Sequence, residues 1–194
     1  MIKHLITGIA FVFFAIFSTH LYAQQKYEKE SRLTEKDVPD KALDFIDSLG
    51  VERKIRWYLE EGFDRTSIEA KFKLNNQKYS IEFDTVGNLE DIEIQIAWSK
   101  WQKPLKDSIS FHLKKDCKRF KINKIQIQYS GDQSILLTKI KTGEDSGEYI
   151  IKYEVIVKCC NTKNVALFEY LFSNTGQELA VSKIVFKNSS NLEY

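Results

Sequence analysis

The chain has 194 residues, 29 Lys and Arg against 27 Asp and Glu, and 43% hydrophobic residues. That is enough for one domain or two small units sharing a core. With only three His and three Cys, it has no metal-spaced His/Cys cluster, and its near-balanced charge gives no case for nucleic acid as a partner.

The N-terminus reads as an export signal. Lys3 and His4 supply a positive start, Leu5 to Phe17 is an apolar run, and Ser18 to Ala23 is more polar, so cleavage is expected after Ala23. The run is shorter than the roughly 20 apolar residues a spanning helix needs, and no Cys follows it to carry a lipid. A periplasmic or secreted protein without a permanent membrane span is therefore expected, with residues 1–23 as the signal peptide. The balance of charge hides an asymmetry: 9 Lys/Arg against 15 Asp/Glu between Thr34 and Ile96, but 15 against 9 between Trp101 and Lys187.

Residues 24–33 are polar with little to bury and are expected to be a flexible lead-in. A helix follows, with Asp37 as its cap, Pro39 in its first turn, Ala42, Phe45, Ile46 and Leu49 on one face, and Gly50 at its end. Alternating strands come next: Ile55, Trp57 and Leu59; then Ile68, Ala70, Phe72 and Leu74; then Tyr79, Ile81 and Phe83; then Ile92, Ile94 and Ile96. The last two flank Thr85-Val86-Gly87-Asn88 as a β-hairpin with one buried face. After the junction 98–103, Pro104 opens a second helix bearing Leu105, Ile109, His112 and Leu113 on one stripe. Strands near Ile125–Tyr129, Tyr149–Val157 and Val165–Ser173 follow, and a hairpin through Asn174-Thr175-Gly176 repeats the earlier pattern. Residues 130–147 have no counterpart earlier and read as a short apolar run, Ile135 to Leu137, then a polar loop. Residues 188–194 read as a tail.

Val38-Pro39, the strand KIRWYLEEG, the strand near Ile68 and the hairpin YSIEFDTVGNL resemble the PepSY-like secreted domains related to β-lactamase-inhibitor proteins. A looser second copy runs through Pro104, Tyr149–Val157 and the hairpin ending at Gly176. The resemblance implies an α+β fold of tandem repeats, each one helix packed on a four-stranded antiparallel sheet, at 34–100 and 101–187. It also implies a binding module outside the cytoplasm, some relatives restraining secreted hydrolases.

The inventory of reactive groups is thin. His112 is the one histidine left after cleavage and reads as a packed or surface residue. Glu60, Glu61 and Asp64, and Glu90 and Asp91, are placed at turns, where solvent keeps them ordinary. The loop 144–148 lacks EF-hand spacing. The basic run Lys103–Lys124 lacks the aromatic interleaving that stacks nucleic acid and reads as a solvated helix face. Trp57, Trp98 and Trp101 read as core and junction residues. No catalytic, cofactor-binding or metal-binding residue is assigned, and no cofactor.

Cys117, Cys159 and Cys160 are candidates for a disulfide, because an exported chain meets oxidising conditions. Neighbours on a strand face opposite ways, so Cys117 would join whichever of Cys159 and Cys160 points inward; three free thiols is the other reading. Ile150, Ile156, Leu167 and Leu171 are apolar on the face opposite Tyr149, Ile151, Phe168 and Tyr170. A sheet apolar on both sides needs a cover, which marks these four as a candidate partner surface. The expectation is a non-enzymatic extracytoplasmic module that engages another protein, a secreted hydrolase or a second copy of itself. The alternative is an envelope structural protein forming homo-oligomers through that apolar face.

Overall fold

The computed structural model describes residues 24–162 and 164–185; the expected signal peptide and C-terminal tail lie outside them. Ten strands form a single sheet in the order β1-β10-β9-β8-β7-β6-β5-β4-β3-β2. They are β1 (Gln24–Tyr27), β2 (Lys29–Leu33), β3 (Arg56–Glu61), β4 (Thr66–Leu74), β5 (Gln77–Phe83), β6 (Leu89–Gln95), β7 (Arg119–Gly131), β8 (Tyr149–Asn161), β9 (Asn164–Ser173) and β10 (Glu178–Val185). The helices are α1 (Asp40–Ser48), α2 (Lys103–Asp116) and α3 (Gln133–Thr142). No helix among the described residues is long and apolar enough to cross a membrane.

The closure of the sheet is set by its first strands. β1 pairs in parallel with β10 and β2 antiparallel with β3, yet only Glu28 separates β1 from β2. One extended segment thus clips the two outermost strands of the sheet together. The sheet must curl into a nearly closed barrel, which removes most of the exposed edge an open sheet would present.

This overturns the expected α+β architecture of tandem repeats with a four-stranded sheet each. β6 pairs directly with β7, Glu93 opposite Gln128 and Ile94 opposite Ile127, so the strands before and after residue 100 belong to one continuous sheet. The stretch expected to be a flexible lead-in forms the clip; its backbone satisfies the edges of β10 and β3, a role that apolar alternation does not encode. The segment 130–147, expected as a run and a loop, contains α3. Asp132 caps it by accepting from the backbone N–H of Ser134 and Ile135, and Gly143, at φ 79°, ends it. Leu136 of α3 is fully buried in the cluster around Phe45, Trp57 and Phe83. A helix from the second half therefore completes a core made mainly by the first.

The helices cover the outer face. Ala42, Phe45 and Ile46 of α1 pack with Ile68, Ala70, Phe72, Ile81, Phe83, Ile92 and Ile94. Ile109 and Leu113 of α2 pack with Ile125, Val155, Val157, Tyr170 and Phe172. The period of two along each strand sends these side chains outward to the helices and their neighbours inward. α1 starts after Pro39, while Asp37 closes a preceding 3-10 turn and accepts from Thr34 Oγ1 at 2.5 Å, so it is not the cap of α1. Two glycines let hairpin turns sit against the helices. A Cβ at Gly87 (φ +87°) would come within 2.9 Å of Pro39 Cβ, and one at Gly176 (φ +83°) within 2.9 Å of Ser108 Cβ.

Candidate functional site: the acidic interior of the barrel

The inner face is where the chemistry gathers. Ser67, Glu69, Ser80, Asp91, Glu93, Gln126 and Glu154 alternate with the outward core residues and are all buried. No helix covers them; they are buried because the sheet closes over them. Lys26, Glu60, Glu82, Glu93, Glu154 and Glu169, drawn from six strands, line one cavity of about 330 Å³. Its mouth lies at the β3–β4 turn, where Phe63 is exposed and rests on Tyr27 with ring centroids 5.3 Å apart.

The strand register explains the crowding of acids. Glu69 on β4 lies opposite Glu82 on β5, and Glu82 opposite Asp91 on β6, giving a row of three carboxylates across three strands. Glu93 lies two residues further along β6 and so shares that face. Like charges directly opposite one another destabilise a sheet, so the row needs cations, protons or donors. Some are present. Arg65, on the turn, reaches Glu82 at 2.6 Å and Glu90 at 2.5 Å. Lys71 lies 2.7 Å from Glu69 and 2.6 Å from Glu30, and 5.0 Å from the centre of the Tyr58 ring. Lys26 of the clip enters the cavity and meets Glu28 at 2.5 Å and Glu169 at 2.6 Å. Ser80 donates to Glu69, Gln126 Nε2 to Glu93 at 2.6 Å, and Gln128 Nε2 to Asp91 at 3.2 Å.

The compensation falls short of the charge. Glu154 is 8% exposed, and among the described residues its carboxylate receives no hydrogen bond and forms no ion pair. Burial, reinforced by neighbouring carboxylates, raises the acids: Glu60 to about 9, Asp91 to about 8 and Glu169 to about 7. Glu93 is pushed well up by burial and then by Glu154, Glu82 and Asp91. Burial also raises Glu82 and Glu154, against the pull of Arg65 on the first and of Lys26 and Lys124 on the second. Lys26 shows the converse. Burial opposes its charge, but Glu154, Glu169 and Glu28 outweigh that and hold the ammonium well above its ordinary range.

The opposite end of the inner face is basic. Arg56, Lys71, Lys73, Lys78 and Lys124 line a second hollow of about 310 Å³, and Gln126 and Ser80 stand at its boundary with the acids. The interior is thus polarised from an acidic mouth near Phe63 to a basic one near Lys78.

The residues singled out from sequence fall in different places. Ile150, Ile156, Leu167 and Leu171 do share a face, and it is the inner one: Glu154 stands opposite Leu171, and Ile156 opposite Glu169. Ile150 is exposed and the other three half-buried, so they form an apolar shoulder beside the acids. Cys117 and Cys159 are joined by a disulfide with Cα atoms 5.4 Å apart, and Cys160 is free. Glu60 and Asp91, read as solvated turn acids, are instead in β3 and β6 with side chains on the inner face. His112 sits on α2 with Nδ1 3.1 Å from Glu178 Oε2 and its ring 5.8 Å from that of Phe172, outside the barrel interior. Asp145 in the loop after α3 is taken up by Lys139 at 2.7 Å and by the Tyr149 hydroxyl. Trp57 and Trp101 are buried in the two core clusters, and Trp98 lies against Trp101 at 5.3 Å.

Sequence reasoning missed Glu82, Glu93, Glu154 and Glu169. Their alternation with apolar residues was visible, but a solvent-facing row of acids has the same alternation. The apolar shoulder on the same face was the available signal that this face does not meet bulk water. Compared with protein-family models, with curated proteins and with solved structures, the chain finds no match, so nothing beyond the residues quoted from the sequence supports the resemblance.

Proposed function

We propose that the protein is a non-enzymatic, extracytoplasmic binding module whose barrel mouth receives a cationic segment of another protein flanked by apolar side chains. The observation that carries this reading is Glu154: a buried carboxylate on the cavity wall, without a hydrogen bond or ion pair among the described residues, beside Ile156 and Leu171. Only the longer-range pull of Lys26 and Lys124 offsets its burial, and a cation brought into direct contact by a ligand favours the charged carboxylate. The chain supplies its own example, because the Lys26 ammonium enters the same cavity from an extended strand and is held by Glu28 and Glu169. The half-buried shoulder of Ile156, Leu167 and Leu171 suits the apolar flanks. The same placement counts against homo-oligomers through a flat apolar sheet face, because that face looks into the barrel.

Fluorescence anisotropy with labelled peptides alternating Lys and Leu, Glu and Leu, or Ser and Leu tests the reading. Binding of the Lys peptide alone, weakened by salt and by Glu154→Gln, is expected. Equal binding of all three peptides, binding insensitive to Glu154→Gln, or no binding of the Lys peptide overturns it.

A further inference from the structure

Glu82, Asp91 and Glu93 each place a carboxylate oxygen within 4.8 Å of the other two. They stand on two adjacent strands, Glu82 opposite Asp91, so the backbone ladder fixes their spacing. Arg65 meets Glu82 but is shared with Glu90. Asp91 is 7% exposed, and its Oδ1 has no hydrogen-bond partner. Gln126 is 3% exposed, and its Oε1 is also unpartnered, while its Nε2 is spent on Glu93 at 2.6 Å. Two buried oxygen acceptors at one cluster of carboxylates, both without donors, are the complement of a cation, since buried polar atoms are nearly always satisfied.

We propose that Glu82, Asp91 and Glu93, with the side-chain oxygen of Gln126, form a binding site for a hard divalent cation, best matched by calcium. The donor set is all oxygen, which suits calcium, magnesium or manganese over zinc or copper. Calcium accepts six to eight oxygens in irregular geometry, whereas magnesium demands a near-ideal octahedron at about 2.1 Å. A row of carboxylates held on pleated strands offers the first arrangement, and the cavity that Glu82 and Glu93 line supplies water for the open positions. The cation competes with protons for these oxygens, and burial and mutual repulsion raise all three acids. Glu154, Glu69 and Glu28 face the cluster and add to that repulsion; Arg65, Lys26 and Lys124 oppose it. Affinity therefore rises with pH. Glu82 and Glu93 line the same cavity as Glu154, but the site uses none of the apolar shoulder, so Asp91→Asn tests it apart from the Glu154→Gln test of the peptide reading.

Isothermal titration of calcium and of magnesium into full-length protein stripped with chelator tests this at two pH values, about 6 and 8. One calcium per chain is expected, tighter at the higher pH and tighter than magnesium. Asp91→Asn and Glu93→Gln should each weaken calcium by about tenfold or more, and Glu144→Gln in the exposed loop should leave it unchanged. Circular dichroism of each variant in chelator verifies folding, and Glu82→Gln replaces any variant that fails to fold. The absence of calcium heat from the wild-type protein, or unchanged affinity in both Asp91→Asn and Glu93→Gln, overturns the assignment.

Discussion

The enclosed acids make stability fall as pH rises, opposite to the behaviour of proteins held together by surface ion pairs. In the unfolded chain a carboxylate titrates near 4, whereas Glu169, Asp91 and Glu60 titrate at about 7, about 8 and about 9 in the folded chain. Between these limits the folded state holds more protons, so stability is complete at low pH and is lost as pH climbs through the raised values. Each net proton corresponds to ~1.4 kcal/mol per pH unit. The acids share one cavity, so the protons belong to the cluster and not to single residues. Counting one net proton from pH 5 to 7 gives about 3 kcal/mol, a large part of the ~5–15 kcal/mol that holds a typical domain together. Lys26 and Lys71 are raised from an already alkaline value and contribute evenly across that window. Asp84, Asp132 and Asp145 are lowered by hydrogen bonds, and their contribution disappears only in stronger acid. Urea unfolding in chelator at pH 5, 6, 7 and 8 measures the slope, and Glu154→Gln should flatten it. A wild-type stability that is flat or rises over this range refutes the reasoning.

Other parts of the fold give separate expectations. Reducing the Cys117–Cys159 disulfide, which closes a loop with a sequence separation of 42, should cost about 4 kcal/mol on the chain-entropy account; alkylation of the unreduced, denatured protein followed by mass spectrometry should label Cys160 alone. Leu136→Ala, at a fully buried position where α3 meets the first core cluster, should cost about 2–5 kcal/mol by urea unfolding. Gly87→Ala should lower the melting temperature, because both its left-handed backbone and the 2.9 Å approach of Pro39 Cβ resist a side chain.

Local periodicity made much of this fold legible. The hairpin β5–β6, the helices α1 and α2 and the outward core residues follow from patterns a few residues long, and the observed register keeps Tyr79, Ile81 and Phe83 on the helix side. Closure was not legible. The pairing of Gln24 to Tyr27 with Ser182 to Val185 joins segments far apart in the chain through the backbone ladder, which leaves no apolar alternation to read. Without closure, the alternation of Ser80 with Glu82 and of Asp91 with Glu93 reads as a wet face, and the same residues become an enclosed cluster once the sheet curls. α3 did leave a signal: Asp132, Leu136, Ile140 and Gly143 have the spacing of a capped helix, but the surrounding polar residues obscured it.

The central claim, that the barrel encloses carboxylates with too few cations, is tested most directly by carbon-13 NMR of the Asp and Glu side-chain carboxyls. Titrated in chelator, the account predicts several resonances with midpoints above about pH 6, among them the signal lost in Asp91→Asn. Carboxyls that all titrate below about pH 5, as exposed ones do, would contradict it.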